Sequence, residues 1–269
     1  MKLGISSWTY SWNIGVPGYP EPASPMNAMG LLIKAHELGA EVVQIADNMP
    51  LEKFTEAELH ELAEQAKAWD ISLEPGTSGV QPHKLIPFLD IAVCIGAKFV
   101  RTLLHDKDGC PTIEQARENL LKIIPELEKR DLILGVENHD FFPACQIKEL
   151  IESLGTDRIG VCLDPVNNFA QGEGFQEVLE NLGKMAVNFH YKDYTIHRKS
   201  SGLGFDLEGT PAGDGMLDIH RLNKYLRQDI SCIIELWTPW QGNIDGTIAV
   251  ESEWAERSAY YLRSVLYGG

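Results

Sequence analysis

Four residues able to bind a hard divalent cation each close a short apolar run: Glu137 in LILGVEN, Asp164 in IGVCLD, His190 in AVNFH and Glu235 in CIIEL. Successive members lie roughly 25 to 45 residues apart, about one strand–helix unit of a barrel. Strand ends in such a barrel converge on one mouth, where four distant residues would meet at one ion. Three carboxylates and one imidazole favour Mn²⁺, with Mg²⁺, Co²⁺ and Zn²⁺ as alternatives, over a metal that seeks thiolates. Chemistry at an oxygen-rich substrate is the expectation.

Each residue alone has a plainer reading. Glu137 could cap a packing layer, Asp164 precedes Pro165 as a turn residue, and His190 could be a satisfied core histidine. Glu235 is harder to dismiss, because a carboxylate embedded in IIELW is costly to bury without a partner. Their joint fall at strand ends makes them a set. Lys192, two residues past His190, shares its strand face, where its ammonium could steady an enolate or carboxylate or donate a proton. Otherwise it pairs with Asp193 or Asp164. Arg101 in FVRTLLHD, with His105 beyond it, could clamp a substrate carboxylate or phosphate, or pair inside the barrel with Glu74 or Glu137. His139 shares the Glu137 face, and Asn138 the opposite one. Trp8, Tyr10 and Trp12 after the first strand, and Trp237 and Trp240 after the last, could stack on a sugar. Gln44 and Glu74 are further polar strand residues, Glu74 in an orienting role.

The elements that must position these groups alternate from end to end. Strands are expected over 2–7, 41–46, 71–75, 99–104, 132–138, 159–164, 186–193 and 232–237. Helix-period stretches lie between them at 25–39, 55–69, 82–96, 112–130, 145–155, 174–183 and 218–228, with a last at 249–266. Thr55 and Glu58 have capping-box spacing. Strict alternation argues for parallel strands, and the count for one (β/α)₈ TIM barrel over 1–269. An open doubly wound sheet is the alternative, but the first βα turn lacks GxGxxG. The longer connections, 8–25 and the Gly-rich 194–217, are expected at the catalytic mouth as loops able to act as lids.

Composition narrows the function. A net charge of −16 and a pI near 4.9, with no offsetting Lys/Arg cluster, argue against a nucleic-acid partner. No apolar run has the length of a membrane helix, and MKLGISSWTYSW reads as a strand rather than a signal peptide. Five cysteines without a CxxC pair point to free thiols and a cytoplasmic location.

These motifs resemble the sugar phosphate isomerase/epimerase family of xylose isomerase-like TIM barrels, which includes ketose 3-epimerases, inosose dehydratases and hydroxypyruvate isomerases. The likeness rests on Glu137 in VEN, Asp164 in CLDPVN, His190 before Lys192 and Asp193 in HYKD, Glu235 in IELW, and the Gly-rich LEGTPAGDGMLDI over 207–219. It implies that Glu137, Asp164, His190 and Glu235 hold one divalent ion, with Glu137 and Glu235 doubling as acid and base on opposite substrate faces. Asn167 stands where the family often has a histidine three residues after the aspartate. It can hydrogen-bond a sugar hydroxyl but cannot shuttle a proton. The epimerase-type arginine would fall on Ile196, leaving Arg198 as its nearest substitute. The related apurinic endonucleases use further histidines to hold three zinc ions. Only one ligand set is found here, and the charge is wrong for DNA.

The resulting expectation is a metal-dependent isomerase or epimerase of a small sugar or keto-sugar derivative, working through an enediolate. The alternative is a lyase, either a dehydratase or a decarboxylase of an oxo-sugar or oxo-sugar acid. A non-catalytic sugar-binding barrel is the third reading. TPWQGNIDG over 238–246 makes a poor phosphate cradle, favouring a neutral sugar or a sugar acid. The resemblance leaves room for a homo-oligomer, although no exposed apolar stripe specifies one.

Overall fold

The computed structural model describes residues 1–268. Among them, eight parallel strands close into a barrel: β1 (Lys2–Ser6), β2 (Val42–Ile45), β3 (Ser72–Ser78), β4 (Phe99–Leu103), β5 (Ile133–Glu137), β6 (Ile159–Leu163), β7 (Ala186–Tyr191) and β10 (Ser231–Ile234). The antiparallel pair β8 (Tyr194–Arg198) and β9 (Phe205–Gly209) stands outside it. Closure follows the order β1-β10-β7-β6-β5-β4-β3-β2, each pair parallel, so β1 and the last barrel strand are neighbours. This is the (β/α)₈ TIM barrel expected from the sequence. The strands are buried by helices outside and by side-chain layers inside, which explains their near-continuous apolar runs.

The helices are α1 (Ser11–Ile14), α2 (Ala28–Leu38), α3 (Glu56–Ala68), α4 (Pro82–Cys94), α5 (Ile113–Arg130), α6 (Ala144–Leu154), α7 (Phe175–Leu182), α8 (Ile219–Leu222) and α9 (Ile244–Tyr267). Their starts follow local chemistry. The Glu58 carboxylate accepts from Thr55 N at 2.7 Å and Thr55 Oγ1 accepts from Glu58 N at 3.3 Å, completing the box at α3. α2 stops where Gly39 takes a left-handed φ of 64°.

Three segments differ from expectation. The helix expected over 218–228 is only the single turn α8. Beyond it Lys224 N and Tyr225 N bond back three residues, to Arg221 O and Leu222 O, which tightens the chain into turns. α9 starts at Ile244 rather than at 249, because the Asn243 side chain caps it by accepting from Gly246 N at 2.7 Å. The segment 194–217 is not an open loop: its YTIHR and FDLEG stretches pair as β8 and β9 around a glycine-rich turn. The Asp193 carboxylate pins the rest of that connection by accepting from Tyr194 N, Gly213 N, Gly215 N and Leu217 N at 2.9 to 3.1 Å. The 8–25 connection is fixed too. Glu251 of α9 accepts from Trp12 N at 2.9 Å and Asn13 N at 3.0 Å.

A bulge shapes the site-bearing part of the sheet. Between Val161 and Cys162 of β6 the partner shifts from Ala186 to Asn188, so β7 carries one extra residue. Where β1 runs between β10 and β2 there is no room for a side chain. A Cβ on Gly4 would lie 2.4 Å from Ile233 Cδ1 and 2.9 Å from Val42 Cβ. Gly4→Ala should therefore destabilise the protein by about 1–3 kcal/mol through overpacking. Urea denaturation should show a lower midpoint with the slope unchanged, and an unaltered midpoint would mean that β1 can shift to accept the methyl group.

Candidate metal centre and substrate pocket

Glu137 ends β5, Asp164 follows β6, His190 lies near the end of β7, and Glu235 follows β10. All four stand at the C-terminal rim of the barrel, and all are buried. Ligand atoms of Asp164, His190 and Glu235 lie within 4.8 Å of one another, as do those of Glu137, Cys162 and His190. His190 Nδ1 is 3.3 Å from Glu235 Oε1 and 3.6 Å from Glu137 Oε2, yet it has no hydrogen-bond partner. Asp164 Oδ2, by contrast, is held by the Lys192 ammonium 2.7 Å away. Orphaned buried acceptors are rare because each costs the desolvation of a polar group. An unpartnered imidazole nitrogen facing three buried carboxylates fits a cation, and the oxygen-rich donor set suits a hard divalent one.

The other face of the His190 ring is tied down. Nε2 lies 2.8 Å from Gln44 Oε1 and 3.2 Å from Cys162 Sγ. Gln44 Nε2 donates to Glu74 Oε2 at 3.0 Å and to Asn188 Oδ1 at 3.3 Å. Glu74 also accepts from Asn188 Nδ2 at 2.8 Å and Ser231 Oγ at 2.6 Å, while burial pushes its carboxyl up.

Two cations balance part of the acidic cluster. Arg101 Nε donates to Glu137 Oε2 at 2.5 Å, and its Nη1 donates to Asp47 Oδ1 at 2.8 Å. Asn167 Nδ2 donates to Glu137 Oε1 at 2.9 Å, so both oxygens of that carboxylate are engaged. Lys192 Nζ lies 2.7 Å from Asp164 Oδ2, 2.9 Å from Glu235 Oε2 and 3.3 Å from Asn167 Oδ1. It also lies 4.9 Å from the centre of the Trp237 ring, a cation–π distance. Burial opposes the charge on Lys192, but Asp164, Glu235 and Glu137 hold its pKa well above the usual range. Burial would raise the Glu137 carboxyl, yet Arg101, His190 and Lys192 outweigh it and keep the group below the ordinary carboxylate range. His190 and Lys192 do the same for Glu235 against its burial.

Above the cluster is a cavity of about 490 Å³. Trp8, Phe169, Leu207 and Trp237 form an apolar wall, while Arg101, His105, His139, Asn167 and Lys192 supply polar groups. The His105 and His139 rings meet edge-on at 5.1 Å, and His139 Nδ1 pairs with Asp140. Burial, with the His139 ring beside it, lowers the His105 pKa. Arg198 is elsewhere. It lies exposed on β8, its guanidinium 4.6 Å from the Phe205 ring centre and its Nη1 donating to Gly202 O at 3.1 Å. Tyr10 is buried in the core. Trp12, Tyr19 and Trp240 form a separate aromatic cluster, with ring centres 4.8 to 5.4 Å apart. A larger cleft, about 660 Å³, opens at the opposite end of the barrel between α3 and α4, and none of the four candidate ligands lines it.

Sequence reasoning missed Asp47, Phe169 and Leu207, which lie in or beside connections without a period to betray them. It also missed Asn188, which a count of two back from His190 places on the same strand face. Asn138 faces away, as its alternation implies. Its side chain accepts from Asp164 N at 2.9 Å and donates to Asp164 O at 2.6 Å, fixing the end of β6.

A family model described as xylose isomerase-like TIM barrel matches residues 32–264. The 3-oxo-isoapionate decarboxylase of Pectobacterium atrosepticum is 31% identical over 267 residues, spanning 97% of this chain and 95% of that protein. A crystal structure of D-psicose 3-epimerase in the presence of D-fructose superposes over 100% of both chains with a TM-score of 0.73 at 16% identity. That of IOLI protein with a bound zinc atom does so over 100% of both chains with a TM-score of 0.69, also at 16% identity. At such identities these two structures speak to the fold alone.

Lys192 and a divalent ion would compete for Asp164 and Glu235. Lys192→Met leaves those carboxylates uncompensated, so Mn²⁺ affinity measured by calorimetry should rise, on the order of 10-fold for one removed like charge. Weaker Mn²⁺ binding by this variant would show that the ammonium supports the site rather than competing for it.

Proposed function

The chain belongs to the xylose isomerase-like TIM-barrel family, and on that premise we propose that it is a divalent-metal-dependent decarboxylase of a small 3-oxo-sugar acid. The observation that carries this reading is the Lys192 ammonium, a buried proton source that borders the cavity. Glu137 is engaged at both oxygens by Arg101 and Asn167, and Glu235 by Lys192 and by the Ser6 hydroxyl, the latter at 3.4 Å, so neither carboxylate is a free proton carrier. A two-base exchange needs proton carriers on both substrate faces. A decarboxylation needs one donor.

When held by Glu137, Asp164, His190 and Glu235, a divalent ion supplies Lewis acidity to a carbonyl and its neighbouring hydroxyl. Mn²⁺ is the ion we favour for this donor set. The side chains do the rest. In a 3-oxo acid the bond between the carboxylate carbon and the α-carbon breaks, CO₂ leaves, and the electron pair is delocalised onto the 3-oxygen as an enolate. Lys192, charged and buried, delivers a proton to the α-carbon and is reprotonated from solvent through the cavity. Glu235 and Asp164 keep that ammonium in place, and Glu137, fixed by Arg101, stays ionised as a ligand. Trp8 and Trp237 pack against the carbon face of the substrate, and His105 and His139 meet its hydroxyls or carboxylate. The reading is supported by the 3-oxo-acid substrate in the name of the Pectobacterium relative. The five free thiols support a reducing, cytoplasmic setting.

An isomerase or epimerase remains the second reading, favoured by one observation. Glu137 Oε2 and Glu235 Oε1 both lie near His190 Nδ1, at 3.6 and 3.3 Å, so two ionised carboxylates flank the same point.

Mn²⁺-loaded enzyme offered a panel of 3-oxo-sugar acids and ketoses in D₂O separates these readings by NMR. Release of CO₂ with one deuterium on the former α-carbon is the expected result. Deuterium beside a carbonyl with every carbon retained would move the protein to the isomerases, and no turnover of any substrate would leave a binding barrel. Glu137→Gln and Glu235→Gln should each reduce turnover to below about a tenth of wild type, because each removes a charged group proposed to hold the metal and Glu235→Gln also loosens the ion pair that places Lys192. Greater residual activity in either would remove that carboxylate from the reaction.

A further inference from the structure

Beneath the metal-facing rim the barrel interior carries a polar layer: Gln44 on β2, Glu74 on β3, Asn188 on β7 and Ser231 on β10. Gln44 and Glu74 are register partners, as are Asn188 and Ser231. Branched apolar side chains ordinarily fill such layers. Four hydrogen-bonding groups in that place need a reason beyond packing, because each requires a partner when buried.

We infer that Glu74 is a positioning residue that fixes the tautomer of His190 through Gln44, which rests on the reading of His190 as a metal ligand. The argument follows the direction of each hydrogen bond. Both oxygens of Glu74 accept, Oε1 from Ser231 and Oε2 from Gln44 and Asn188. Its acceptance, with that of Asn188 Oδ1 at 3.3 Å, turns the Gln44 amide nitrogen toward β3 and β7. The Gln44 carbonyl oxygen therefore faces His190 Nε2 at 2.8 Å and accepts its proton. A neutral imidazole carries one proton, so Nδ1 keeps its lone pair, and Nδ1 is the atom beside Glu137 and Glu235. Without the acceptor at position 74 the Gln44 amide can turn over. Its nitrogen would then donate to Nε2, moving the ring proton onto Nδ1 and blocking the lone pair.

Glu74→Met removes the acceptor, while Glu74→Gln keeps one oxygen for Gln44 and can give its amide protons to Ser231. In metal-free protein, at a pH where the ring is neutral, ¹⁵N NMR of His190 should show Nε2 protonated in wild type and E74Q, with Nδ1 protonation appearing in E74M. Mn²⁺ affinity by calorimetry should fall about 10- to 100-fold in E74M, the usual range for loss of a ligand's supporting partner, and stay near wild type in E74Q. A wild-type tautomer and affinity in E74M would overturn the inference. Should E74M fail to fold, Gln44→Met tests the same step, and an unchanged tautomer there would overturn it equally. Absence of Mn²⁺ uptake by wild type would sink the metal reading, whereas the tautomer comparison decides the role of Glu74 by itself.

Discussion

Three carboxylates enclosed at one end of a barrel are the constraint around which the rest of the site is arranged. Each buried ion costs several kcal/mol in desolvation unless opposite charge or hydrogen bonds offset it. Arg101 meets Glu137, and Lys192 spans Asp164 and Glu235, which leaves negative charge uncompensated among these five groups. What faces the remainder is the unpartnered Nδ1 of His190. Surplus negative charge beside an unpartnered imidazole nitrogen is an arrangement that a bound cation would complete.

The same constraint explains why the candidate ligands sit on barrel strands or one residue past them and the apolar cavity wall on segments outside those strands. Ligand geometry must hold to fractions of an ångström, which parallel strands locked by their neighbours can provide. Asn138 bonds both the backbone N–H and the carbonyl of Asp164, so even the first residue past β6 is held by its neighbour strand. The cavity wall can be looser. Leu207 comes from the outlying β8–β9 pair and Phe169 from the connection after β6, places where sequence change leaves the barrel intact.

The strands and the ionisable residues that close them were legible in the sequence because two strong signals coincide: a buried apolar run and an ionisable residue ending it. The outer elements were less so. The β8–β9 pair was hidden because its apolar side chains, Ile196, Phe205 and Leu207, are exposed rather than buried, and its glycine-rich turn reads as a loop. Arg198 was singled out as the nearest substitute for the arginine that the family resemblance places at Ile196. The chain instead leaves the barrel after β7 and carries that side chain outward. The polar layer was half visible in Gln44 and Glu74. Ser231 and Asn188 precede their ligands by an even count on their strands, a placement evident only once the register of the closed barrel is known.

Both readings of the chemistry use one electronic trick, an electron pair placed beside a carbonyl, and they differ in what is lost and where the proton returns. That difference falls on few side chains. Asn167 occupies a position where a titrating imidazole would add a second proton carrier, and its amide instead clamps Glu137 while its carbonyl accepts from Lys192. Arg101 tightens the same clamp from the other oxygen. A carboxylate with both oxygens engaged by cationic or amide donors is a poor base, since protonating it breaks a charge-assisted bond. Glu235 is engaged likewise, by Lys192 and Ser6, which under the proposed reading leaves the Lys192 ammonium as the proton source. A one-sided donor suits a reaction in which the departing group is CO₂ and no proton has to be taken first.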